Sequence, residues 1–295
     1  MTDIKVGQSE RDYFNGAIKT ITTESSVLVS SSKYLNSAEL RNLVTQEMLR
    51  RNGADLPNTA FIPEVAQALI MLEDFSRIAE LFEQEKARLP KFREWCDKKA
   101  LADFKKDDVK DCAPGTLGAA LYDFMVNSGY ELDIFYREIQ VVNDLTFYLR
   151  QTALTHDIEH IVSGFGPNHG GEVALLTAGM HSKARYFHPE LAAFFSRVAT
   201  YLKAKTIMKD GLYYPEAMAL NLEAEFRGAE QGRNWAYPMM MADWRAMTDW
   251  QIADIRKELN ITPVPDAGLW ADTNRLSNED DPHYGEPLSY QVAAE

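Results

Sequence analysis

A chain of 295 residues in which 45% of the side chains are apolar is long enough to bury a large core. Its net charge of −13 excludes a nucleic-acid partner, whose phosphates need a basic patch, and disfavours electrostatic docking on anionic lipid. Two cysteines, Cys96 and Cys112, make no disulfide framework and no C-x-x-C pair, so they read as reduced thiols and exclude zinc held by cysteine.

Nearly every periodic segment has helical spacing, and no series of alternating strands is bounded by hairpin dipeptides, which predicts an all-α fold. Residues 10–52 hold two or three helices, interrupted by Thr22-Thr23-Glu24-Ser25-Ser26 and by Ser30-Ser31-Ser32, and ended by Asn52-Gly53. From Ile62 to Leu89 the positions Val65, Leu69, Leu72, Phe75, Ile78, Leu81 and Phe82 keep one helix face until Pro90. Lys98 to Asp111 alternates blocks of lysine and aspartate and is expected to be a solvated connector. Pro114-Gly115-Thr116-Leu117-Gly118 turns into a helix carrying Leu121, Phe124 and Met125, with Gly129 as its C-cap. Helices then follow over 144–163, from Glu172, from Pro189 to Lys205, from Pro215 to Gln231 and from Met241 to Leu259. Helical patterning on both sides of the charged stretch favours one domain: N-terminal helices over 1–110, a core over 111–265, and an acidic tail over 266–295 lying extended on the surface. No run of about 18 apolar residues occurs. The start Met1-Thr2-Asp3-Ile4-Lys5 lacks the order of a signal peptide, so a cytoplasmic location is expected.

The chemistry concentrates in His156-Asp157-Ile158-Glu159-His160 and, eleven residues further on, Glu172. On one helix His156 and His160 lie a turn apart on the same face, with Asp157 about 100° round the axis. The run Gly164-Phe165-Gly166-Pro167-Asn168-His169-Gly170-Gly171 breaks that helix, and the chain doubles back to deliver the Glu172 carboxylate. The expectation is a four-ligand pocket of His156, Asp157, His160 and Glu172 on a helix-turn-helix. Imidazole and carboxylate together suit zinc, iron or manganese. Asp157 stands where an H-E-x-x-H protease has its glutamate base, and none of the six histidines precedes 156, as a His-Asp phosphohydrolase would require. A di-iron bundle would have to use Asp280-x-x-His283 in the tail. His169 is a candidate proton-transfer group beside the loop, set against an exposed loop histidine, and His181 and His188 have no assigned role. Phe194, Phe195, Met218, Met239, Met240 and Met241 are candidates for an apolar channel, and Arg233, Trp235 and Trp244 for the site or for packing.

Read as H-D-x(2)-H-x(11)-E, these residues resemble the signature of the ubiquinone-biosynthesis Coq four family. Pro114-Gly115-Thr116-Leu117-Gly118 with Tyr122 and Phe124 looks like that family's G-T-L-G helix start. Asp243-Trp244 and Ile255-Arg256-Lys257-Glu258-Leu259-Asn260-Ile261 resemble its R-x-E-L-x-I ending. The resemblance covers residues 110–265. It implies an all-α protein in which His156, Asp157, His160 and Glu172 bind a divalent metal, usually zinc, and which replaces the C1 carboxylate of a polyprenylated hydroxybenzoate by a hydroxyl. The alternatives it leaves are a scaffold that binds prenylated intermediates and organises other ubiquinone-biosynthesis proteins, and a paralogue acting on another hydrophobic substrate. Each role requires docking, to the inner face of a membrane or to partner enzymes that hand over the precursor, and the subunit count, monomer or homo-oligomer, is open.

Overall fold

The computed structural model describes residues 30–264 and 270–284, apart from 55, 130, 131, 133, 134, 280 and 283. The helices expected over residues 10–29 and the pair Asp280-x-x-His283 therefore lie outside the described residues. Among those described the fold is all-α, with no strand and two isolated bridges, Gly53 to Leu56 and Thr116 to Gln251.

Capping side chains set most of the boundaries. Ser32 and Ser37 start α1 (Lys33–Asn36) and α2 (Ala38–Met48) by accepting from the backbone N–H groups of Leu35 and Leu40. The single face expected over 62–89 is two helices, α3 (Ile62–Met71) and α4 (Phe75–Arg88). Asp74 accepts from the Arg77 N–H at 3.0 Å and so begins a new helix where apolar spacing alone suggested continuity. Pro90 ends α4 and opens α5 (Pro90–Lys98), because a residue without an N–H costs nothing at a first helical position.

The charged stretch after α5 is solvated along its charged side, as expected, but its apolar residues belong to the core. Ala102, Phe104 and Val109 are buried, Val109 closing the short α6 (Lys106–Val109), while Lys99 ion-pairs with Asp144. Its charges point outward from a backbone that packs on the core, a face that block composition does not reveal.

Helix α7 (Leu117–Ser128) leads to α8 (Asp144–Ser163), whose Phe147, Leu154, Ile158 and Val162 are fully enclosed. Phe92 stacks on Trp95 at 5.6 Å, Trp95 meets Phe147 at 4.7 Å, and Phe187 and Phe195 complete an aromatic cluster against α8. Helices α9 (His169–Tyr186), α10 (Pro189–Tyr213) and α11 (Pro215–Asn234) follow, α10 and α11 running beyond the expected Lys205 and Gln231. Gly228 and Gly232 of α11 sit against the backbone of α9: a Cβ on either would stand 2.2 Å from the Ala174 carbonyl oxygen or 2.1 Å from that of Ala178. Matching four-residue spacings on the two helices let their backbones touch, which clamps α9 from behind.

The helix expected over Met241–Leu259 is a 3-10 turn at Met239–Met241, a run of turns, and α12 (Ile252–Leu259). The tail expected to lie extended over 266–295 departs from that reading where it is described. Trp270, Thr273 and Leu276 are buried, and Asp272–Leu276 forms α13 against the body. A small second core of Leu40, Val65, Ala68 and Leu69 joins α2 and α3 to Val198 and Tyr201 of α10, apart from the main core.

Candidate metal centre

Helix α8 ends at Gly164, in the left-handed region at φ 79°, with its N–H donating to the His160 carbonyl. Asn168 caps α9 by accepting from the Gly171 N–H at 2.8 Å, so Glu172 falls in the first turn, where the helix dipole favours a carboxylate. The loop between the two helices is tight enough to dictate its residues: a Cβ on Gly171 would stand 1.8 Å from the Gly166 carbonyl oxygen, and one on Gly170 would stand 2.4 Å from the Trp270 Cβ. Helix α13 then covers the start of α9. The Asn274 Oδ1 accepts from the His169 N–H at 2.8 Å, and the Thr273 hydroxyl accepts from the Gly170 N–H at 3.0 Å. Two donors that a helix start leaves unpaired are thus satisfied. Arg256 of α12 does the converse for α8, donating to the Val162 carbonyl at 2.7 Å and, more weakly, to that of Ile161.

This frame brings His156, His160 and Glu172 together, with one ligand atom of each lying within 4.8 Å of the others. His160 Nε2 is 3.1 Å from Glu172 Oε1, His156 Nε2 is 3.5 Å from Glu172 Oε2, and the two rings stand nearly perpendicular. His160 Nδ1 lies 3.0 Å from the Phe165 carbonyl, which can only accept. That contact places a proton on Nδ1 and directs Nε2 toward the carboxylate, the second contact a metal-binding imidazole needs. The donors fit a divalent ion. Asp157 stands outside this group of converging ligand atoms, as its offset round the helix allows, and its charge reaches the site only as a field.

That field matters to His156. Burial works against its charge, but the field and hydrogen bond of Glu172, helped by Asp157 and Glu159, raise its pKa to about 9. Burial likewise opposes the Glu172 charge, and the two imidazoles outweigh it, holding the carboxyl well below its usual range. His169 does not have the near-neutral pKa expected of a proton carrier, since burial drives it down to about 4.

His156 and Glu172 open onto a cavity of about 440 Å³ between α3, α8, α9 and α10. Its walls are mostly apolar, with Ile62, Leu69, Leu149, Leu176, Phe194 and Val198 among them. Of the expected channel residues Phe194 and Phe195 line it, whereas Met239, Met240 and Met241 are buried in the main core and Met218 is not on the wall. Trp235 and Trp244 are core residues as well, and Arg233 is exposed. Unanticipated members of the cavity wall are Tyr148, Lys183, Arg197 and Lys205, which lie on helices whose even apolar character hid which face was inward.

No helix among the described residues is long and apolar enough to cross a membrane. No family model matches the chain. It is 26% identical over 165 residues to the mitochondrial ubiquinone biosynthesis protein COQ4 of the yeast Lachancea thermotolerans, a match that covers 54% of this chain and 45% of that relative. The chain thus aligns with less than half of the relative's length. Its fold is similar to the crystal structure of a protein from Nostoc punctiforme, provisionally assigned to ubiquinone biosynthesis, with a TM-score of 0.58 and 22% identity, covering 75% of this chain and 96% of that one. At that identity the likeness establishes the fold.

Proposed function

We propose that this chain, which resembles the Coq four family in motif, sequence and fold, acts in ubiquinone biosynthesis by the metal-dependent oxidative decarboxylation of a polyprenylated hydroxybenzoate. The observation that carries the reading is that the His156, His160 and Glu172 cluster meets a largely apolar cavity, whose wall includes His156 and Glu172. A mostly apolar space with a few convergent polar groups suits a greasy ligand bearing one reactive polar end.

The reaction exchanges a ring carbon–carboxylate bond for a carbon–oxygen bond. Carbon dioxide leaves, one atom of dioxygen enters as the hydroxyl, and the other leaves as water; two electrons come from an external donor, and three protons are taken up, two into the water and one onto the new ring oxygen. His156, His160 and Glu172 would hold a divalent ion, which would supply a Lewis acid for the ring carboxylate. The protein's part is to hold Glu172 by the start of α9, to fix the His160 ring through Phe165, and to keep water from the ring with apolar walls. With Asp157 outside the group, three protein ligands would leave a position for substrate, which favours the enzyme over a scaffold whose metal would be saturated by four. Two imidazoles and a carboxylate would hold zinc, iron or manganese; zinc would supply only a Lewis acid, whereas iron or manganese could also pass electrons to dioxygen. The prenyl tail would come from a membrane surface or from other ubiquinone-biosynthesis proteins that pass on the precursor.

Aerobic incubation of the metal-loaded protein with 3-geranyl-4-hydroxybenzoate and a reductant tests the proposal by product mass. Replacement of the carboxylate by a hydroxyl, lost in His160→Ala that retains its fold, is expected. Tight binding with unchanged mass in the wild type would point to the scaffold instead.

A further inference from the structure

The cavity has a second polar pole, and it lies on the same helix face as the first. Glu172, Leu176, Gly179 and Lys183 are spaced by four, three and four residues, which puts all four within about 60° of one another round α9. Glu172, Leu176 and Lys183 line the cavity. Gly179 has no side chain in the gap, and the Lys183 Nζ folds back to 3.9 Å from where a Cβ on Gly179 would stand. Seven residues then separate the level of the ammonium from that of Glu172, about 10 Å along the axis at 1.5 Å per residue. A single aromatic ring with an oxygen at each end can bridge that interval between a ligand-bound metal and a lysine.

The surroundings of Lys183 single it out among the lysines and arginines of the wall. Arg197 is paired with Glu73 and Lys205 with Glu47. Lys183 makes no carboxylate ion pair within 4.0 Å among the described residues; its ammonium donates at 3.2 Å to the Phe195 carbonyl. The Tyr148 hydroxyl donates to that same oxygen, also at 3.2 Å, so the two polar groups are side by side on the cavity wall. Burial lowers the Lys183 pKa, and the field of Glu159 opposes that. A cation in an apolar wall with no carboxylate in contact, balanced only by the field of Glu159, is costly to keep, and an anionic or acidic oxygen brought by a ligand offsets that cost.

We propose that Lys183, with Tyr148 beside it, is a positioning and specificity residue that receives the ring hydroxyl of the aromatic acid whose carboxylate lies at the His156–Glu172 pole. The inference rests on the function proposed above and deepens it. It assigns the residues that hold the ring hydroxyl of the hydroxybenzoate and orients that ring along α9.

The test is equilibrium binding to the full zinc-loaded chain of two probes that differ only in the hydroxyl, 3-geranyl-4-hydroxybenzoate and 3-geranylbenzoate. Wild type should prefer the hydroxylated probe by about tenfold or more, the scale of a hydrogen bond to a charged group. In Lys183→Met the ratio of the two affinities should collapse toward one, and Lys183→Arg should keep most of the preference. Tyr148→Phe, which removes one hydroxyl, should reduce the ratio severalfold and serves if Lys183→Met does not fold by circular dichroism. An undiminished preference in Lys183→Met or Tyr148→Phe overturns the assignment and leaves the metal reading standing, as does equal binding of the two probes by wild type. Wild type that binds neither probe overturns the substrate reading itself.

Discussion

Gly171→Ala adds one methyl group to the turn that delivers Glu172, without touching a ligand. Its Cβ would stand 1.8 Å from the Gly166 carbonyl oxygen, 2.7 Å from the carbon and 2.9 Å from the nitrogen, and all three are backbone atoms that no rotamer can move. Non-bonded carbon contacts settle near ~3.5 Å, so the loop and α9 must part by on the order of 1 Å. Overpacking of this kind costs about 1–3 kcal/mol, and a rigid neighbour puts it at the upper end. Metal ligands must hold position to about 0.2 Å, so the same shift pulls Glu172 from the imidazoles and should weaken zinc binding roughly 10–100-fold. Urea unfolding of the metal-free protein gives the first number, and zinc titration against a competing chelator gives the second. Gly179→Ala is the control: its nearest neighbour would be the Lys183 Nζ at 3.9 Å, and a mid-helix alanine should be neutral or gain about 0.5–1 kcal/mol. Wild-type stability and wild-type zinc affinity in Gly171→Ala would refute the packing argument for how the carboxylate is placed.

Three further outcomes follow from the same geometry. His156, with its pKa raised from 6.5 to about 9 in the folded metal-free protein, contributes stability that is complete below about pH 6.5 and is lost as pH rises through 9. Because the ion displaces that proton, zinc affinity should climb about tenfold per pH unit up to 9 and then level, with close to one proton released per zinc at neutral pH, and a flat pH profile by calorimetry would contradict it. Gly228→Ala forces α11 away from the Ala174 carbonyl and should cost about 1–3 kcal/mol in urea unfolding, whereas an unchanged midpoint would rule out the close helix contact. Arg256→Ala frees the Val162 and Ile161 carbonyls at the end of α8 and should cost about 1.5–3 kcal/mol, with faster amide exchange confined to the last turn of that helix; unaltered exchange there would show that the arginine does not cap it.

His156, His160 and Glu172 could be found from sequence because their geometry is local: two side chains one turn apart and a carboxylate just beyond a glycine-rich turn. Asp157 belongs to the same motif, yet its place round the helix keeps it out of the converging group. The all-α class was equally plain, because apolar spacing reports on period. What spacing does not report is which acid or serine starts a new turn, and so Asp74 divided what looked like one helix. Tertiary contacts were hidden for a different reason. Thr273 and Asn274 cap α9 from about a hundred residues away, and their segment is acidic enough in composition to pass for a surface tail. Lys183 gave no signal because α9 and α10 bury polar and apolar residues together, which leaves little amphipathic contrast from which to read an inward face.

The number of protein ligands on the metal separates an open site from a saturated one. X-ray absorption on the zinc-loaded protein should show two imidazole nitrogens and a carboxylate oxygen at about 2.0–2.2 Å, with the remaining position taken by a non-protein oxygen. The spectrum should not change in Asp157→Asn and should change in Glu172→Gln. A centre saturated by four protein ligands, altered by Asp157→Asn, would contradict the open three-residue site, and zinc that ignores Glu172→Gln would place the metal elsewhere.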